Sequence, residues 1–337
     1  MQKFEHGGRI YDAAGKAGDW LDFSANINPM GLSEKVRAAL LENLGGVVNY
    51  PDAEAAELTA AICRRYGVEP ENLVLLNGAA EFFYLYLNVV RPRKVLIPVP
   101  SFSEYERAAR AVGATVEYFY LKAEEKFALD VKKMPSAECV IIGRPNNPTS
   151  TLPTLAEIQL LAEKSRVLVD ESFIDFLDAE SARKIISDRI AVVQSLTKIF
   201  AIPGLRLGFA VVEKNLALRL NAAKDVWNVN FLAQKAGAAA LSDEKYLAAT
   251  RAWLAVEREF FTARLRKLAG VEVFEPAANF VLVRTAQAAE VLAELRRRKI
   301  LVRNCANFAG LDETFLRLAV RTRAENLQLL KNLEEIL

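Results

Sequence analysis

Ala191-Val-Val-Gln-Ser195-Leu-Thr197-Lys198-Ile-Phe-Ala-Ile-Pro203-Gly204-Leu-Arg206-Leu-Gly208 begins as a short apolar run of strand length. Ser195, Thr197 and Lys198 then fall on a turn, and Pro203-Gly204 redirects the backbone toward Arg206. A lysine so placed stands at the edge of a core. Lost hydration there favours the neutral amine, the form that attacks an aldehyde. Any single lysine after a strand is most simply a surface charge. This one has Ser195 three residues before it and Arg206 eight after, a hydroxyl and a guanidinium suited to a phosphate dianion.

The rest of the chain bounds that reading. At 337 residues it exceeds the roughly 250–300 at which single cores stop growing, so two domains are expected. Its 44 basic and 42 acidic residues leave a formal charge of +2, a near balance that points away from nucleic acid and from membrane surfaces. Cys63, Cys139 and Cys305 are odd in number and far apart, which suits reduced thiols in a cytoplasm better than a disulfide framework. The start, Met1-Gln-Lys-Phe-Glu-His-Gly-Gly, lacks the apolar core of a signal peptide, and no run is long and apolar enough to span a bilayer. A soluble, cytoplasmic protein is expected. With His6 as the one histidine, multi-histidine metal sites and a Ser-His-Asp triad late in the chain are poor hypotheses, and no metal is expected. There is neither a Walker A loop nor a Gly-x-Gly-x-x-Gly opening for a nucleotide.

Residues 1–30 read as an arm, with Asp22-Phe-Ser-Ala-Asn26-Ile-Asn28-Pro29 showing no helical period. Ser33 starts a helix with Val36, Leu40 and Leu44 on one face, closed by Gly45 and Gly46. After the loop Asn49-Tyr50-Pro51-Asp52, a second helix carries Leu58, Ile62 and Tyr66 up to Gly67. From residue 73, apolar runs alternate with helical patterns, the mark of a parallel sheet wrapped by helices. Seven runs read as strands: 73–76, 95–99, 115–120, 139–143, 167–169, 191–194 and 207–212. Ser103-x-x-Glu106, Thr154-x-x-Glu157 and Thr322-x-x-Glu325 read as capping boxes. Beyond about residue 225 come long helices at 231–241 and 245–268. Short strands near 271–274, 279–284, 301–304 and 315–320 follow, with a helix at 288–298 among them. The expected organisation is an α/β domain over 31–228 with a mostly parallel seven-stranded sheet, then a smaller α+β domain over 229–337 that the arm joins.

Ligands in open parallel sheets sit beyond the carboxyl ends of the strands. There the first strand is followed by Asn77-Gly78-Ala79-Ala80-Glu81, a helix start whose free N–H groups and dipole suit a phosphate. The second is followed by Pro100-Ser-Phe102, an aromatic able to stack on a flat ring. The fourth leads into Arg144-Pro-Asn146-Asn147-Pro148, a rigid turn offering an amide donor. The fifth leads into Asp170-Glu171-Ser172-Phe173, and the sixth into Lys198. Each taken alone has an ordinary reading as a cap, a core aromatic, a turn or a solvated carboxylate. Five of them at the strand ends of one sheet point to a single ligand site.

An aldehyde, a phosphate and an electron-poor ring together describe pyridoxal 5'-phosphate. Over nearly its whole length the chain resembles the fold type I pyridoxal-phosphate enzymes, the aspartate aminotransferase superfamily. The resemblance implies that Lys198 joins the cofactor covalently, Asp170 holds its ring nitrogen, Asn147 its ring hydroxyl, and Phe102 stacks on the ring. Gly78, Ala79, Ala80, Ser195, Thr197 and Arg206 would surround the phosphate, with Tyr50 reaching over from the second subunit of a homodimer. Phe173 stands where many members have Tyr, which leaves the ring oxygen to Asn147.

Within that family the chain resembles two subfamilies that take phosphorylated substrates, the threonine-phosphate decarboxylases first and the histidinol-phosphate aminotransferases second. The marks of the first are His6-Gly7-Gly8, Asp22-Phe-Ser-Ala-Asn26-Ile-Asn28-Pro29 and Phe173. This resemblance implies that His6, Asn26 and Arg303 meet a substrate phosphate and Arg317 a carboxylate, a bidentate task suited to Arg. His6 as a plain tail residue and Arg321 and Arg323 as surface charges remain open, as does a non-catalytic relative that only binds ligand. Decarboxylation or transamination is decided by which Cα bond stands perpendicular to the cofactor ring.

Overall fold

The computed structural model describes residues 5–337; residues 1–4, where the expected arm begins, lie outside the described residues. Along the chain come β1 (Leu21–Asp22), α1 (Glu34–Asn43), α2 (Ala56–Tyr66), β2 (Leu73–Leu76), α3 (Ala80–Val90), β3 (Lys94–Val99) and α4 (Glu104–Ala111). Then follow β4 (Thr115–Tyr120), β5 (Cys139–Gly143), α5 (Leu155–Ala162), β6 (Arg166–Asp170), β7 (Ile190–Ser195), α6 (Leu196–Ile199) and β8 (Gly208–Val211). The remainder is α7 (Lys214–Ala223), α8 (Phe231–Leu241), α9 (Glu244–Leu265), β9 (Glu272–Val273), β10 (Phe280–Arg284) and α10 (Ala288–Arg297). It closes with β11 (Ile300–Leu301), β12 (Arg303–Asn304), β13 (Phe315–Ala319) and α11 (Arg323–Ile336).

The seven runs read as strands form one sheet, in the order β2-β8-β7-β6-β5-β3-β4. Its pairs are parallel from β4 through β7, and β8 runs antiparallel to both neighbours. Near-continuous apolar runs are what a sheet covered on both faces requires. Along β7, Ala191 and Val193 face a core shared with Phe82 and Phe83 of α3, and Val192 faces the opposite core with Ile158 and Leu161 of α5. A second sheet, β12-β13-β10-β9, is antiparallel. The arm joins this part of the chain through β1, which pairs in parallel with β11. Among the described residues no helix is long and apolar enough to cross a membrane.

Three expectations need correction. The single strand expected at 301–304 is two, because the chain pairs first with the arm through β11 and then with β13 through β12. Ser103 does not cap α4: its backbone is already helical (φ −64°, ψ −19°), since the Tyr105 N–H bonds the Phe102 carbonyl at 3.1 Å and starts the turn early. Glu106 accepts instead from Arg110, at 2.7 Å. Finally, Leu44 lies past the end of α1 in a 3-10 turn (Leu44–Val48) and is exposed, as are Leu41, Val47, Val48 and Tyr50.

The other two boxes are formed. Thr322 Oγ1 accepts the Glu325 N–H at 3.4 Å, and the Glu325 carboxylate accepts the Thr322 N–H at 3.1 Å. Thr322→Ala is expected to cost about 1 kcal/mol and lower the thermal midpoint. Ser103→Ala, which breaks no cap, is expected to change stability by less than about 0.5 kcal/mol. Equal losses in thermal denaturation would contradict this difference between the two helix starts.

Candidate active site

Ser195 ends β7 and caps α6, so one residue turns strand into helix and brings Lys198 back over the strand end. The Ser195 hydroxyl lies 2.7 Å from Thr197 Oγ1 and accepts from Lys198 Nζ at 3.0 Å. Burial pulls the Lys198 amine down to about 8; the Asp170 carboxylate opposes that fall and the Arg206 guanidinium adds to it. The Phe173 ring, 5.7 Å from Nζ, supplies an apolar wall.

Asp170 ends β6, and its side chain opens on the same cavity of about 760 Å3 as Lys198, with Phe102 and Asn147 also in the lining. That volume lies within the roughly 300–1,000 Å3 of small-molecule sites. Asp170 Oδ1 accepts from the Ser172 N–H at 2.9 Å and the Ser172 hydroxyl at 2.5 Å, and Oδ2 accepts from the Tyr105 hydroxyl at 2.7 Å.

The anion-holding end is built by close backbone approach. Ala79, just before α3, gives the helix no side-chain cap, and the Ala79 and Ala80 N–H groups have no partner among the described residues. A Cβ on Gly78, whose φ is +79°, would stand 2.3 Å from Arg206 Nη2, so glycine admits the guanidinium beside the helix start. A Cβ on Gly208 would stand 2.8 Å from the Ala79 nitrogen. Gly208 is the register partner of Ser195, so its lack of a side chain brings the Ser195 end of the sheet against the same helix start.

At the other end, Arg303 and Arg317 are register partners on β12 and β13, and both line the cavity. Both are more than nine-tenths buried, and neither forms an ion pair among the described residues. Arg317 donates to the Asn147 side-chain oxygen and, at 2.6 Å, to the Ser24 carbonyl, while its Nε is buried without a partner among the described residues. Burial pulls the Arg317 guanidinium down to about 10. Arg303 donates to the Glu5 carbonyl at 2.7 Å and to Asn307 at 2.6 Å, and burial lowers it too. Asn26 lines the cavity, its side-chain oxygen buried with no partner among the described residues. His6 does as well, with Nε2 2.9 Å from Glu104 Oε1.

A profile of the aminotransferase class I and II family matches residues 18–333. The chain belongs to that family. It is 35% identical to the threonine-phosphate decarboxylase of Salmonella typhimurium (strain LT2), over 98% of this chain and 96% of that one. Its fold is similar to the histidinol-phosphate aminotransferase of Clostridium acetobutylicum, with a TM-score of 0.87, 32% identity and coverage of 94% and 98%. It is also similar to the L-threonine-O-3-phosphate decarboxylase of Porphyromonas gingivalis, with a TM-score of 0.85, 28% identity and coverage of 94% and 98%.

The cofactor is pyridoxal 5'-phosphate, and the donor set fits it: a depressed amine and a carboxylate in one cavity, with an open helix start and, beside them, a guanidinium that has no ion pair among the described residues. Lys198, Asp170, Phe102, Ala79, Ala80 and Arg206 all line that cavity; Gly78, Ser195 and Thr197 lie directly behind it through the contacts above. The Asn147 amide nitrogen has no partner among the described residues, whereas its oxygen is committed to Arg317. Tyr50 is not brought to this cavity by its own chain; it is 77% exposed and stacks on Trp227 at 4.2 Å between ring centres. Arg321 and Arg323 are tied to Glu325 and Glu257 and do not line that cavity. Sequence reasoning missed Tyr105, Glu104 and Ser172. Tyr105 had one faint signal, an aromatic three residues after Phe102 at a helix start, but its partner is 65 residues away.

An amine held near 8 should react with an acylating reagent in apoenzyme at a rate that rises with pH and levels above about 8, because the neutral form is the nucleophile. Mass-spectrometric labelling of Lys198 against other lysines reads the midpoint, and a midpoint near 10 would contradict the burial argument. Lys198→Ala should abolish turnover while circular dichroism stays unchanged. Retained turnover would end the catalytic assignment.

Proposed function

We propose that the chain is a decarboxylase of L-threonine O-3-phosphate, giving (R)-1-amino-2-propanol O-2-phosphate in cobalamin biosynthesis. The observation that carries this is the opposed pair Arg303 and Arg317. Like charges directly across two strands repel, and two buried guanidinium groups without carboxylates raise the cost further. A substrate with two anionic ends offsets both. Threonine phosphate carries an α-carboxylate and a phosphate on one molecule, whereas an aminotransferase would meet the two arginines in turn, with the phosphate of histidinol phosphate and then the two carboxylates of glutamate.

Bound in the cavity, pyridoxal phosphate supplies an aldehyde for the substrate amine and a ring that takes up the electrons released at Cα. The chain's own residues do the rest. Arg317, steadied by the Ser24 carbonyl and Asn147, grips the carboxylate as a fork. Arg303 grips the phosphate, with His6 and Asn26 nearby in the lining; Glu104 holds His6 Nε2 and leaves Nδ1 for the ligand. Two anchored ends remove free rotation about the substrate's Cα, so the carboxylate is kept in one orientation. The carboxylate leaves as carbon dioxide, and Lys198 in its ammonium form, populated below about pH 8, can deliver the proton that Cα then needs. The chain would act as a homodimer through the exposed apolar residues Leu41, Leu44, Val47 and Val48 and the Tyr50–Trp227 stack, which together make a face of the kind that binds protein. On this reading Tyr50 completes the neighbouring phosphate site.

The test is a product assay with threonine phosphate and with histidinol phosphate plus 2-oxoglutarate. Carbon dioxide from the first supports the decarboxylase; glutamate formed from the second makes the chain an aminotransferase; neither product from a chain that binds the cofactor makes it a ligand-binding relative. Arg303→Ala should raise KM for threonine phosphate by about 30-fold or more, the scale of truncating a buried charge contact, and change it little for threonine. Equal effects on the two substrates would remove Arg303 from the phosphate site. Val48→Asp should halve the sedimenting mass, and an unchanged mass would remove the dimer face.

A further inference from the structure

Tyr105 is the second residue of α4 and is 1% exposed. Its ring stands edge-on to Phe83, with centres 4.9 Å apart, and nearly perpendicular to Phe102 at 5.7 Å. Its N–H closes a turn on the Phe102 carbonyl, so one turn of backbone sets both the Phe102 ring in the cavity and the phenol beneath it. Burial, with the Asp170 carboxylate next to it, holds the phenol well above its ordinary range, so it stays protonated and serves Asp170 as a donor. A carboxylate offers about four lone-pair directions. Ser172 takes both on Oδ1 and Tyr105 takes one on Oδ2. One direction on Oδ2 is left unclaimed among the described residues, on a side chain that lines the cavity.

We propose that Tyr105 is a positioning residue for the cofactor: its phenol fixes the Asp170 carboxylate so that the unclaimed lone pair of Oδ2 meets the proton on the cofactor's ring nitrogen. The Phe102–Tyr105 contact then ties the stacking face to the same carboxylate. The inference rests on the cofactor alone and is the same for decarboxylation and transamination. A product assay that ruled out the decarboxylase would leave it standing.

The experiment is a binding titration on apoenzyme by equilibrium dialysis, using pyridoxal 5'-phosphate and its analogue with C–H in place of the ring nitrogen. A phenol that acts through Asp170 on the ring nitrogen matters only when that nitrogen is present. Tyr105→Phe is expected to weaken the cofactor about 10-fold or more and the analogue less than about 2-fold. In an Asp170→Asn background the same substitution should add less than about 2-fold. Equal losses for cofactor and analogue would overturn the proposal in favour of a packing role, as would unchanged affinity for both. If Tyr105→Phe fails to fold, Ser172→Ala tests the same carboxylate from its other oxygen. It should discriminate between the two ligands in the same sense, and failure to do so overturns the proposal.

Discussion

Keeping the amine of Lys198 half out of water is the constraint on which the rest of the site depends. Its folded value of about 8 against the ordinary 10.5 means that the native chain binds fewer protons than the unfolded one between those limits. This group therefore lowers stability in full below about pH 8, and the loss fades as pH rises toward 10.5. A fold keeps such a residue only if neighbouring packing offsets it. Here the offset comes from β7, buried throughout and packed on both faces, whose end fixes where the lysine must emerge.

That strand end also explains why so few residues suffice. In a parallel sheet the carboxyl ends lie along one edge, and Asp170 pairs with Val193, so the ends of β6 and β7 that carry Asp170 and Ser195 come out side by side. β8 returns antiparallel and sets Gly208 opposite Ser195, against the start of α3. An amine, a carboxylate and an open helix start thus come together from sheet geometry, before any side chain of the second sheet takes part.

Much of this was legible in the sequence, because strands buried on both faces leave unbroken apolar runs and the residue just past each run needs no tertiary knowledge to find. Lys198, Asp170, Phe102 and Asn147 were found that way. What stayed hidden depends on contacts between distant segments. Tyr105 looks like any helical tyrosine until β6 lies beside α4, and the His6–Glu104 pair joins residues 98 apart. The failed cap at Ser103 has a local cause: the turn that sets Phe102 in the cavity is already helical one residue earlier, so the hydroxyl is not needed. Leu44 misled for a different reason. Its spacing continues the buried stripe of α1, but the helix ends at Asn43 and the side chain turns outward.

The break at Val302 has the same character, and it bears on the substrate. A continuous strand over 301–304 would have to choose between the arm and the second sheet. By splitting, the chain pairs Ile300–Leu301 with β1 and then Arg303–Asn304 with β13, so the arm and Arg303 are fixed to one short segment. The Glu5 carbonyl in the arm accepts from Arg303 and the Ser24 carbonyl from Arg317, so among the described residues each guanidinium is oriented by an arm carbonyl and a side-chain amide oxygen, with no ion pair to a carboxylate. A carboxylate partner would have satisfied each arginine more fully and made it useless for a ligand. Carbonyls orient the two cations without neutralising them. On the proposed function their charge is then left for an anion in the cavity, and the two anionic ends of threonine phosphate would meet that demand.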